Sequence, residues 1–329
     1  MIRAEGLSKS YWVHKRQHGM TAALRSLVRR KHEEVVALRD VSFRIEAGEK
    51  VGFLGPNGAG KTTLMKLLSG LLHPTAGRVE IDGFLPHRRD YAFLRRITMV
   101  MGNKSQLIWD LPPADTFEMI RAIYRVAPAE HARTMDELTE LLDLAPLVHK
   151  PTRQLSLGER MRCELAATLI HQPTTLFLDE PTIGLDVSMQ AALRDFVAAY
   201  NRRHNATILL TSHYMQDVLV ICPRVIIINH GQLIYDGDLR AFVATIRPEK
   251  VVSFEWEGDG RPAGIERFGA VDWPAAGRPL VRVPQAAVLE LVRLLMNETA
   301  ASDLKIEDPP LDDVLREAFG QTRALAEPT

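Results

Sequence analysis

The stretch GPNGAGKT at residues 55–62 carries the spacing G-x-x-x-x-G-K-[ST]. It follows KVGFL at residues 50–54, a short apolar run that reads as a buried strand, and leads into TTLMKLLSGLL at residues 62–72, which reads as a helix. A loop that holds phosphate requires this setting. Glycine lets the backbone curl until successive N–H groups face phosphate oxygens. The helix that comes next adds its own free N–H groups and the positive end of its dipole. Gly55, Pro56, Asn57, Gly58, Ala59, Gly60, Lys61, Thr62 and Thr63 are therefore the candidate nucleotide-binding residues. Within them, Lys61 is expected to reach the β and γ phosphates and Thr62 to ligate Mg²⁺.

Outward from this loop, apolar strands alternate with helical patterns. The opening residues read as a strand ending near Tyr11, and VVALRDVSFRI and RVEIDG read as strands on either side of the loop and its helix. TTLFLDE and NATILLTSH read as buried strands separated by the helix DVSMQAALRDFVAAYNRR, and RVIIINHGQLIYDG reads as a hairpin. This alternation predicts an α/β fold with a parallel core sheet. The run LFLDEP places Asp179 and Glu180 at a strand end. There a carboxylate can engage Mg²⁺ and a second can polarise an attacking water; the plainer alternative is a hydrophilic strand end before Pro181. His213, after the strand TILLTS, is positioned to orient that water, or else is a structural histidine.

The composition excludes several classes. The chain has 329 residues, 46% of them hydrophobic, enough for one large domain and a small one. Lys plus Arg is 41 and Asp plus Glu is 41, and this zero net charge argues against a strongly basic nucleic-acid binder. Cys163 and Cys222 are too few for a disulfide scaffold and lack metal-ligand spacing. No run of 18 apolar residues predicts a membrane span, and the amino terminus has no secretory pattern. Lys15, Arg16, Arg25, Arg29, Arg30 and Lys31 form a basic stretch without acidic residues, with Leu24, Leu27 and Val28 at helical spacing. It reads as a solvated insertion or as a contact with anionic lipid headgroups. Composition shifts near Val243, so the expected domains are 1–243, with a helical subdomain at about 105–172, and a small α+β appendage at 244–329.

LSLGE at residues 155–159 precedes a helix and stands shortly before the acidic strand. This resembles the signature motif of ATP-binding cassette (ABC) ATPases, LSGGQ, with Leu157 for a glycine and Glu159 for glutamine. Phosphate loop, LSLGE, LDEP, GLD and TSH succeed one another in the order of that family over residues 1 to about 240. The resemblance implies a P-loop NTPase of the ABC-ATPase type, with a parallel core sheet, an antiparallel edge sheet and a helical subdomain. It further implies that Ser156 and Gly158 bind the γ-phosphate held by a second subunit, and that Asp186 in Gly184-Leu185-Asp186 communicates across the dimer. Glu180 becomes the catalytic glutamate and His213 the switch histidine, with Asp179 on Mg²⁺. Tyr11 looks like the aromatic that stacks on adenine, with Trp12 as the alternative. For the family's metal-coordinating glutamine, Asn103 stands nearer the expected place and Gln106 is the right residue a turn late. Asn103 is preferred, because a shorter amide approaches a metal through water.

The wording NKSQLIWDLPPADTFEMIRAIY and SLGERMRCELAATLIHQPTTLFLDEPTIGLDVSMQ looks like ATP-binding subunits of bacterial ABC-2 type exporters, close to the viologen-exporter and daunorubicin-resistance-like group. The basic insertion and the terminal IEDPPLDDVLREAF are similar to that group too. Resemblance to this branch implies a dimerising subunit at the cytoplasmic face of the inner membrane. A full set of motifs in one chain makes a homodimer the expected form, with a heterodimer as the alternative. It would dock on separate ABC-2 permease subunits, bind no specific nucleic acid and have no span of its own. The alternative is a soluble ABC ATPase acting on nucleic acid or ribosomes. A single phosphate loop, no coiled-coil insertion and no cysteine cluster count against it.

Overall fold

The computed structural model describes residues 1–14, 32–102, 104–212, 215–258, 260–274, 278–297, 301–310 and 313–319. Asn103, His213 and the basic stretch 15–31 lie outside the described residues. The chain divides into two compact units, Met1–Gly237 and Asp238–Thr329.

The first unit opens with β1 (Ile2–His14), β2 (His32–Ile45) and β3 (Lys50–Leu54), then α1 (Lys61–Leu68), β4 (Ala76–Ile81), the short α2 (Tyr91–Leu94) and β5 (Ile97–Met101). Three helices come next: α3 (Pro113–Ile123), α4 (Pro128–Leu142) and α5 (Leu157–Leu169). The chain then returns through β6 (Thr175–Asp179), α6 (Val187–His204), β7 (Thr207–Thr211), α7 (Met215–Ile221), β8 (Arg224–Asn229) and β9 (Gln232–Asp238). The central sheet has the order β5-β6-β7-β3-β8-β9, and β5 through β8 run parallel. A separate antiparallel sheet has the order β2-β1-β4. One buried cluster joins Phe53, Phe177 and Leu209 of the central sheet to Leu64 and Leu68 of α1 and to Ile2, Leu7 and Val41 of the antiparallel sheet. α1 is thus packed on both sides, which fixes the loop that leads into it.

Local chemistry sets the ends of these elements. Pro113 and Pro128 begin α3 and α4 where no amide is needed, with Asp115 and Glu130 in the positive first turns. Asp186 caps α6, whose last turn carries Arg202, Arg203 and His204. His230 and Gly231 both have positive φ and turn β8 into β9. Two boundaries differ from the sequence reading. The helix after the loop ends at Leu68, not Leu72, because Gly70 takes φ +75 and a Cβ there would meet the Pro86 carbonyl at 2.2 Å. The first strand does not stop near Tyr11, because Tyr11 to His14 pair with Val35 to His32 and lengthen the ribbon. Cys163 and Cys222 are both buried and unbridged, and burial pushes each thiol up to about 12. Among the described residues no helix is long and apolar enough to cross a membrane.

The second unit begins with α8 (Leu239–Ile246), followed by β10 (Glu249–Trp256), β11 (Ala270–Asp272), β12 (Leu280–Pro284), α9 (Val288–Asn297) and β13 (Ala301–Glu307). Asp238 accepts from the Ala241 amide and caps α8, so the division falls before Val243. The four strands form an antiparallel sheet, β11-β12-β10-β13. Its core is Val252, Phe254, Val281 and Val283 against Leu291 and Leu295 of α9.

Candidate functional site

The carboxyl ends of β3, β7 and β6 lie side by side, with Phe53, Thr211 and Asp179 level across the three strands. Ligands of open α/β sheets settle beyond such strand ends. β3 delivers the loop 55–62 there, and α1 starts from it. The loop's path depends on two glycines. Gly55 has φ +152 and a Cβ on it would meet the Ile228 carbonyl at 2.1 Å; Gly60 has φ +110 and would meet the Ala37 carbonyl at 2.6 Å. Neither conformation nor clearance suits another residue.

The Lys61 ammonium lies inside this curl, donating to the carbonyls of Gly55 at 2.7 Å and Pro56 at 3.1 Å. Burial lowers its pKa, while the charges of Glu180 and Asp179 act in the opposite direction. Thr62, one residue on, donates to Asp179 Oδ1 at 3.4 Å. The same oxygen accepts the Thr211 hydroxyl at 2.6 Å. A hydroxyl and a carboxylate are hard oxygen donors, the set that suits Mg²⁺ beside phosphates. Glu180 leaves the strand with φ +54, a left-handed conformation uncommon for this residue type. Its amide donates to the Thr211 carbonyl at 3.0 Å and hydroxyl at 3.1 Å. The chain thus turns between Asp179 and Glu180, so the two carboxylates need not obey strand alternation.

A second group gathers elsewhere. Ser156 caps α5 in a reciprocal box: its hydroxyl accepts from the Glu159 amide at 3.3 Å, and Glu159 accepts from the Ser156 amide at 2.8 Å. That backbone hydrogen bond holds the Glu159 carboxyl below its ordinary value. Ser156 and Gly158 line an open concavity of about 390 Å³ together with Gly184, Leu185 and Asp186. Asp186 is occupied with its own helix, its Oδ1 accepting from the Met189 amide and the Ser188 hydroxyl, each at 2.9 Å. So Lys61, Thr62, Asp179 and Glu180 converge in one place, and Ser156, Gly158 and Asp186 in another.

Tyr11 is half-buried on the β1–β2 ribbon, whereas Trp12 is 68% exposed. β2 crosses the loop at Ala37 and Leu38, where both lie against Gly60. Leu38 pairs with Lys9 and Val35 with Tyr11, so Tyr11 stands about 7–10 Å along the ribbon from that crossing. Lys9 lies over its ring at 5.2 Å.

Gln106 has an exposed side chain, but its amide is held by Glu164 of α5 at 2.8 and 3.1 Å. Glu164 is buried and also accepts from the Ser105 hydroxyl and, at 3.3 Å, the Leu107 amide. Sequence reasoning passed over Glu164 and Thr211, because their partners are distant in the chain and single Glu or Thr residues carry no motif.

A family model described as ABC transporter matches residues 38–183. The chain is 33% identical over 219 residues to the ABC transporter ATP-binding protein NatA of Bacillus subtilis, covering 67% of this chain and 89% of that protein. It is 33% identical to the daunorubicin resistance ATP-binding protein DrrA3 of Streptomyces coeruleorubidus, over 91% of this chain and 96% of that one. A methionine import ATP-binding protein, MetN of Latilactobacillus sakei, matches at 30% over 80% of this chain and 75% of its own length. Among solved structures, an ATP-binding subunit of an ABC transporter superposes with a TM-score of 0.61 at 22% identity, over 74% of this chain and 92% of that chain. The last likeness is one of fold.

Proposed function

Because this chain belongs to the ABC transporter ATP-binding proteins and is an ATP-binding, ATP-hydrolysing subunit of such a system, we propose that it powers an ABC-2 type exporter. The observation that carries this is the extent of the DrrA3 match, which at 91% of the chain continues into the second unit. The wording around LSLGE and the terminal LDDVLREAF support the same branch.

In this reading the amides of residues 55–63 and Lys61 hold the ATP phosphates, and Tyr11 stacks on adenine. Thr62, Asp179 and Asn103 hold Mg²⁺, which when bound offsets phosphate charge. Alanine at Asn103 is expected to cost more ATPase activity than alanine at Gln106. Glu180 polarises the attacking water and His213 orients it. The separation of Ser156, Gly158 and Asp186 from the phosphate loop supports a homodimer, in which each copy completes the other's site. ATP then closes the dimer and hydrolysis opens it. ABC-2 permease subunits would turn that motion into transport, with this chain at the cytoplasmic face of the membrane.

Two experiments test the proposal. Glu180→Gln should bind ATP, accumulate closed dimers and lose nearly all turnover; a variant hydrolysing at the normal rate refutes the role of Glu180. Co-purification with the permease, then ATP-driven uptake of candidate drugs into inside-out vesicles, tests direction. The likeness to MetN favours a second reading, import, for which transport would run out of such vesicles.

A further inference from the structure

We propose that Asp217 is a positioning residue for hydrolysis, binding the loop that carries Glu180 to Ser212 at the end of β7. This rests on the reading of Glu180 as the water-polarising carboxylate.

Asp217 is 0% exposed and uses both carboxylate oxygens. Oδ2 accepts the Thr182 hydroxyl at 2.6 Å and the Ser212 hydroxyl at 2.9 Å, and Oδ1 accepts from Arg194 of α6 at 2.8 Å. The three donors come from three places: the loop after β6, the end of β7 and the middle of α6. A buried carboxylate with these donors is fully engaged, and its charge is balanced by Arg194.

The segment held by Asp217 is the strained one. Glu180 sits at φ +54, and such a backbone persists only where its surroundings over-determine it. On one side its own amide is fixed to Thr211. On the other side, two residues later, Thr182 is fixed to Asp217. Ser212 donates to the same oxygen, so the loop beyond β6 and the end of β7 share one anchor. Releasing the anchor leaves the phosphate loop, Lys61 and Thr62 untouched. The loss should therefore fall on turnover and spare nucleotide binding.

The test uses the purified full-length chain and variants that remove one bond at a time. Thr182→Val deletes the hydroxyl without touching the Arg194 pair, and Thr182→Ser restores it. Thr182→Val is expected to lower kcat at least fivefold, with KM for ATP and the Kd for a fluorescent ATP analogue within twofold of wild type. Thr182→Ser should return kcat to within twofold. Asp217→Asn should lower kcat at least tenfold with the same unchanged Kd. Should Asp217→Asn fail to fold, the threonine pair still decides. Wild-type kcat in Thr182→Val, equal impairment of Thr182→Val and Thr182→Ser, or parallel losses in kcat and nucleotide affinity would each overturn the proposal. Glu180→Gln, measured alongside, separates the two failures. If it alone loses turnover, the anchor is wrong and the role of Glu180 stands; if it turns over normally, the underlying reading is wrong.

Discussion

Thr211 donates its hydroxyl to Asp179 Oδ1 at 2.6 Å while the same hydroxyl and the Thr211 carbonyl accept the amide of Glu180. One buried residue at the end of β7 thus fixes a carboxylate at the end of β6 and the backbone of the residue that follows it. Parallel pairing makes this possible by setting Asp179 level with Thr211.

Thr211→Val preserves shape and removes the hydroxyl. Asp179 then keeps only the 3.4 Å bond from Thr62 and loses its short one, at a cost of about 1.5–3 kcal/mol for a hydrogen bond to a charged group. The released Asp179 should also demand more Mg²⁺. We expect a lower denaturant midpoint and an ATPase activity whose half-maximal Mg²⁺ concentration rises several-fold. A variant with wild-type Mg²⁺ dependence would show that Asp179 needs no orientation from β7.

The capping box at α5 separates two roles of the signature segment. Glu159 uses its carboxylate oxygen to accept the Ser156 amide, and a glutamine accepts equally well. Glu159→Gln should therefore keep ATPase activity within twofold at neutral pH. Ser156→Ala removes the cap, costing about 1 kcal/mol of stability, and should depress turnover far more than that loss explains. Turnover and stability of both variants, measured together, decide the matter.

The features legible in the sequence were local. The phosphate loop, the strand ending in Asp179, the helix that follows LSLGE and the hairpin at Gly231 are written in contiguous residues. The hidden ones were long-range. Thr211 meets Asp179 across 32 positions, Thr182 meets Asp217 across 35, and Ser105 meets Glu164 across 59. Leu71 and Leu72 continued an apolar pattern past the true end of α1, yet Leu71 is 46% exposed once Gly70 has turned the chain. Likewise, only pairing with residues 32–35 carries β1 beyond Tyr11.

Glu164 holds the loop at residues 105–107 onto α5 through two amides and a hydroxyl. Glu164→Ala removes the shared acceptor, leaving the buried Leu107 amide without it, and should destabilise the chain by about 1–3 kcal/mol. Glu164→Gln keeps an acceptor and should retain most of that stability. Denaturant unfolding of both checks the order; equal losses would mean that packing alone, and no hydrogen bonding, fixes the loop.

His171 gives the fold a dependence on acid. It is buried at the end of α5, stacked on Tyr124 at 3.9 Å, with Nε2 at 3.0 Å from the Ile97 carbonyl. Burial lowers its pKa from 6.5 to about 4. Above pH 6.5 the ring is neutral folded or unfolded, and stability is unaffected. Between pH 6.5 and 4 the unfolded chain takes up a proton that the folded chain refuses, so stability falls as pH falls through this window. At 1.36 kcal/mol per unit the full loss is about 3 kcal/mol. His171→Gln can still donate to Ile97 and does not titrate. Its unfolding free energy should lie below wild type at pH 7.5 and approach or pass it by pH 4.5. Parallel pH profiles for the two proteins would show that His171 is not held neutral.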